Sequence, residues 1–109
     1  MNQEQVKDIL LQLNDEVEEF SLIFSGKASK KVNGLYMPDT REIILHNRNF
    51  NNDNLLLYTA IHEFAHHVHI TNSPVPVGSK SHTIEFRRVF HELLTAAEEK
   101  GFIKSIYET

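Results

Sequence analysis

Between Leu55 and about Ile70 nearly every position is apolar or histidine, and no other segment restricts the fold as much. The run is too long for one strand and leaves no polar face at helical spacing. It predicts a helix buried around most of its circumference, which the rest of the chain must cover. That rest is short. With 109 residues, 40% of them apolar and 24% charged, the chain has the size and composition of one globular domain spanning 1–109.

Around this helix the pattern predicts an α+β order. Val6, Ile9, Leu10, Leu13, Val17 and Phe20 recur at three- and four-residue spacing, which reads as an amphipathic helix from Gln3 to about Phe20, with Asn14 or Asp15 as an earlier stop. Phe20–Phe24 has the composition of a short buried strand, and Ser25–Lys31 reads as a loop. Val32–Met37 and Glu42–His46 read as two strands joined by a turn at Pro38-Asp39-Thr40. Ile43, Ile44 and Leu45 imply contact on both faces. Asn51 to Asn54 offer N-caps for the buried helix. Thr71–Ser81, with Pro74, Pro76 and Gly78, reads as a loop. A last helix is expected from about His82 to Lys100, stopped by Gly101, with His82, Phe86, Val89, Phe90, Leu93 and Ala97 as its inner stripe. Phe102, Ile103 and Ile106 are expected to fold back onto the body.

The chemistry-bearing residues lie in and just after the buried helix. Five of the seven histidines, His62, His66, His67, His69 and His82, fall within twenty-one residues. His62-Glu63-Phe64-Ala65-His66 is an HExxH sequence. Residues four apart sit one turn apart on the same helix face, so the two imidazoles can share one metal ion. Glu63 is offset from the pair and can reach a water at the metal without displacing a ligand, as a general base must. Zinc suits neutral imidazoles and needs no redox chemistry. A shuffle of this composition produces HExxH in roughly 4% of cases, so the helical context matters as much as the spacing.

Catalytic zinc sites take a third protein ligand. The metzincin continuation is missing, since position 69 is His and position 72 is Asn. The downstream candidates are His82, Glu85, His91 and Glu92. His91 is rotated well away from Phe86 and is expected to be exposed.

HEFAHH, an irregular loop and then His82-Thr83-Ile84-Glu85-Phe86 resemble the SprT-like (Spartan-type) zinc metalloprotease domain, a zincin. The resemblance implies a compact domain with an N-terminal helix, a small three-stranded sheet, the HExxH helix and a C-terminal helix. It implies a zinc metalloendopeptidase in which His62, His66 and His82 hold Zn2+ and Glu63 is the catalytic base that activates a water. The implied partner is a protein or peptide substrate. Thr83 stands where the family has glycine. The chain has no cysteine, so the zinc ribbon of many relatives is missing and their DNA-directed activity does not carry over. A formal charge of -4 likewise gives no support for DNA as a partner.

The alternative is a non-catalytic or latent zinc-binding domain of the minigluzincin kind. There Glu85 would be the third ligand, or a fourth that closes the site, and Ile106–Thr109 could lie over the cleft. His67 and His69 are expected to flank the site or reach solvent, and His46 to be a surface histidine at a strand end. Tyr36 and Tyr58 are candidate oxyanion donors whose more ordinary role is packing. The Glu42–His46 strand is a candidate edge for an extended substrate. Lys27, Lys30 and Lys31 form the basic cluster, read as a solvated loop. No segment can span a bilayer. The first twenty residues, with six acids and one lysine, are the opposite of a targeting peptide, so a cytoplasmic setting is expected.

Overall fold

In a computed structural model, which describes residues 1–73 and 82–104, the buried helix α2 (Asp53–Asn72) packs against both other helices, α1 (Gln3–Leu13) and α3 (Ile84–Glu99), and against the sheet. The sheet has three strands, β1 (Ser21–Phe24), β2 (Gly34–Met37) and β3 (Glu42–Leu45), in the order β1-β3-β2. β1 runs parallel to β3, and β2 antiparallel to it. The expected α+β class and order of elements are therefore present.

From Ala60 to Val68 every residue of α2 except His62 is buried, as its composition requires. Asn52 caps the helix by accepting from the Leu55 amide at 2.9 Å, and Asp53 adds an acid to its first turn. The C-terminal end runs to Asn72, two residues into the expected loop, with the Thr71 hydroxyl donating to the His67 carbonyl. The rest of that loop, with Pro74, Pro76 and Gly78, lies outside the described residues, as do Ile106 and the Ile106–Thr109 segment.

α1 ends at Leu13, the earlier of the two expected stops, with Asn14 as its C-cap. Its start is a reciprocal cap: Asn2 and Gln5 each accept the other's backbone N–H at 2.8 Å. Val6, Ile9 and Leu10 enter the core, together with Phe20, Leu22, Ile43 and Leu45 from the sheet side.

Two further sequence expectations change. The last helix starts at Ile84 rather than His82, because Thr83 is its N-cap, the hydroxyl accepting from the Phe86 amide at 3.2 Å. His82 therefore sits in the approach to the helix and is exposed, not part of its inner stripe. Phe86, Leu93 and Ala97 fill that stripe, with Val89 and Phe90 half-buried. Second, β3 is the central strand, hydrogen-bonded on both sides, so it cannot be an edge for substrate. Among the described residues the edges are β1 and β2.

Gly34 is set by a close approach: a Cβ there would lie 2.9 Å from the Ile44 carbonyl oxygen and 3.0 Å from the Leu45 side chain. Gly101, at φ 78°, closes α3 as expected. Its amide bonds the Glu98 carbonyl and the Phe102 amide the Ala97 carbonyl, which turns Ile103 back into the core.

Candidate metal centre

α2 presents His62 and His66 one turn apart on the same face, with ring centroids 5.1 Å apart. His82 reaches them from just before the N-cap of α3, its ring 5.2 Å from each. One nitrogen from each of the three imidazoles lies within 4.8 Å of the others. Among the described residues this group of three could hold a metal ion, and the donor set is of the kind that suits zinc.

Behind the imidazoles lie aromatic rings. Phe86, fully enclosed, stacks on the His66 ring at 4.1 Å and 20°. Phe90 meets His62 edge-on at 5.1 Å. These rings limit how the imidazoles can turn and lower the local dielectric. Burial pushes the His66 pKa down to about 4, more than the opposing effect of Glu63, so its ring is neutral at pH 7 with a lone pair to donate. Neutral imidazole is the form a metal requires.

Glu63 is buried beside the triad. Its Oε2 lies 3.0 Å from His62 Nδ1. With Nδ1–H donating to the carboxylate, Nε2 of His62 is the nitrogen left for a metal. The second carboxylate oxygen remains as a further acceptor.

Glu85, the alternative ligand, is elsewhere. It is exposed in the first turn of α3, and its pKa is lowered mainly by a hydrogen bond to its own backbone amide and by Thr83. With His69 it lines a neighbouring hollow between α2 and α3 that contains none of the three clustered imidazoles. His91 is exposed, as its helical angle predicted.

The triad opens into a cleft of about 540 Å3, walled on one side by α2 and on the other by β2 and the residues flanking it. His62, Glu63, His66 and His82 lie on its floor, with Tyr36 and Val32 on the opposite wall. His69 lines its rim, as expected. His67 does not flank the site. It is fully buried, its Nε2 2.7 Å from the Glu18 carbonyl and its Nδ1 2.7 Å from the Tyr36 hydroxyl. A carbonyl only accepts, so Nε2 carries the proton, and Nδ1 of the neutral ring accepts from Tyr36. Burial lowers the His67 pKa and keeps the ring in that form.

Tyr36 therefore has its one proton engaged and serves as a strut between β2 and α2. This role was missed from the sequence, although a histidine next to a proposed ligand but a helical step out of its face was the available signal. Tyr58 packs edge-on against Phe90 at 5.5 Å. His46 is half-buried at the end of β3, its Nδ1 2.9 Å from the Ser25 hydroxyl, and does not line the cleft.

No protein-family model matches the chain, and neither curated proteins nor solved structures show a match.

Proposed function

We propose that the chain is a zinc-dependent metallopeptidase of the SprT-like kind, with His62, His66 and His82 as metal ligands and Glu63 as the catalytic base. One observation carries this reading. His82, twenty residues after His62 and outside α2, converges on the HExxH pair in a cleft where Glu63 is the adjacent carboxylate. A packing histidine has no need of two others within the radius of one ion, nor of a buried acid beside them.

Zinc at this site would supply Lewis acidity, polarising a substrate carbonyl and making water more acidic. The remaining work falls to the chain. Burial keeps His66 neutral, and the hydrogen bond to Glu63 orients His62. As a water oxygen adds to the peptide carbonyl carbon, the Glu63 carboxylate takes the water's proton. It returns that proton to the amide nitrogen as the C–N bond breaks. β2 offers its outer edge to an extended peptide, so that backbone hydrogen bonds hold substrates of varied sequence. The Tyr36 hydroxyl, already donating to His67, contributes shape to this wall rather than a proton to an oxyanion.

Zinc per chain and cleavage of an unstructured protein substrate test the assignment together. Wild type and Glu85→Ala should hold near-stoichiometric zinc, and His82→Ala should lose it. Glu63→Gln should keep zinc while cleavage falls by about 10²- to 10⁴-fold, the usual contribution of a general base. Zinc loss on Glu85→Ala alone would replace His82 by Glu85 as third ligand. Wild-type cleavage by Glu63→Gln would end the proposed mechanism. Zinc-loaded wild type without cleavage of any substrate would favour a non-catalytic zinc module.

A further inference from the structure

The chain's charge is segregated. Residues 20–38 and 43–52 carry four of the eleven Lys and Arg residues and none of the fifteen acids, in a chain whose formal charge is -4. The four cations, Lys27, Lys30, Lys31 and Arg48, are all exposed, and among the described residues none lies within ion-pairing distance of a carboxylate. They gather at one end of the sheet, in the β1–β2 loop and the 3-10 turn Asn47–Asn49 that follows β3.

A loop that only needs solvent has no reason to be rigid, yet this one is held by side chains along its length. Asn49 accepts from the Ser29 amide at 2.8 Å and donates to the Ser29 carbonyl at 2.9 Å and to Asn33 Oδ1 at 2.9 Å. Asn47 accepts from the Gly26 amide at 2.8 Å. The Arg48 amide donates to the Lys27 carbonyl at 3.3 Å, so Arg48 is tied to the lysine loop. Holding the loop in one conformation in advance lowers the entropic cost of binding at it.

The loop also leads directly into the cleft. Val32, which follows Lys30 and Lys31, lines the same cleft as His62 and Glu63, and so does Gly34 at the start of β2. A polypeptide lying along the outer edge of β2 would continue past Lys30 and Lys31, which precede that strand in the chain.

We propose that this basic end is a substrate-selecting surface: polypeptides that carry a run of acidic residues to one side of the segment in the cleft bind preferentially. The proposal rests on the peptidase reading for the identity of the cleft, but its test does not require turnover. An acidic polypeptide is favoured over nucleic acid because the lysine loop runs directly into β2, an edge strand that borders the cleft. Four charges on one small end also fall short of the broad basic face that nucleic-acid binding relies on.

The experiment uses zinc-loaded Glu63→Gln protein and fluorescent twelve-residue peptides with mixed uncharged central positions. Three glutamates are placed at either the N-terminal or the C-terminal end, and three glutamines replace them in the controls. Fluorescence anisotropy should show one of the glutamate peptides binding at least tenfold more tightly than its glutamine control. The end that matters reports the direction in which the chain runs along β2. Raising the salt to 0.5 M and the Lys30→Glu/Lys31→Glu double variant should each remove the preference, with zinc content unchanged. Equal affinity for glutamate and glutamine peptides would overturn the proposal. So would a preference that survives the double variant, or a mixed-sequence oligonucleotide that binds more tightly than every peptide through the same lysines. Acid preference without any cleavage by wild type would instead leave this surface standing and remove the peptidase reading.

Discussion

His66 and His67 are adjacent, yet one faces the cleft and the other is sealed in the interior. A helix turns about 100° per residue, so the step that follows His66 leaves the face it shares with His62. The His67 ring meets Phe20, Phe64 and Tyr36 instead. Its two hydrogen bonds satisfy both ring nitrogens in place of water. Tyr36→Phe would remove the donor to Nδ1 and leave a buried acceptor unpaired, at a cost of about 1–3 kcal/mol. Thermal unfolding of the variant should drop by several degrees, with zinc content unchanged. An unaltered unfolding temperature would mean that water replaces the phenol and that Tyr36 is no strut. The HExxH spacing made His62, Glu63 and His66 legible in the chain, because the residues lie within one turn. Nothing local could separate His67 from His69, since which of them is buried depends on what packs over each face.

Elements are placed by single close contacts as much as by apolar pattern. β2 forms one wall of the cleft, and Gly34 allows it to approach β3 closely. Gly34→Ala would drive a methyl group against the Ile44 carbonyl, a backbone atom that cannot rotate aside. Pushing the strands apart should cost about 1–3 kcal/mol and shift the outer edge of β2, where the proposed substrate would lie. The expected result is a lower unfolding temperature together with a raised KM. A stable variant with wild-type KM would show that β2 does not position substrate. Thr83 teaches the complementary lesson. It stands where the SprT-like pattern has glycine, and in this structure its side chain caps the start of α3. The hydroxyl starts α3 two residues later than expected and leaves His82 just outside the helix, turned toward α2.

At the scale of the molecule, one long helix carries both the core and the site, so protonation of the site is coupled to stability. Burial lowers the pKa of both His66 and His67, His66 to about 4 against an ordinary value near 6.5. Between those values the unfolded chain binds protons that the folded chain does not. The stability associated with neutral rings is therefore complete above about pH 6.5 and is lost as the pH falls toward 4. Chelator-treated protein should unfold at a progressively lower temperature from pH 7 to pH 4.5, and His67→Gln should flatten part of that slope. A flat profile would mean that the buried rings gain compensating partners on protonation. Zinc should add stability at pH 7 and lose that effect across the same interval, as protons compete for the same nitrogens.

What the sequence by itself determined was everything governed by periodicity and short spacing. The helix buried on nearly all sides, the α+β order, the Gly101 stop and the pairing of His62 with His66 all depend on residues within a turn or two of one another. Tertiary structure decided the rest. Strand order placed β3 in the centre and β2 at the cleft, because pairing joins segments whose alternation looks alike. Packing of α3 against α2 set His82 over the HExxH face and Glu85 at the neighbouring hollow. Tyr36, His67 and the Glu18 carbonyl became one hydrogen-bonded unit only when elements far apart in the chain were packed together. A buried polar group is identified by what surrounds it, and the surroundings exist only in the fold.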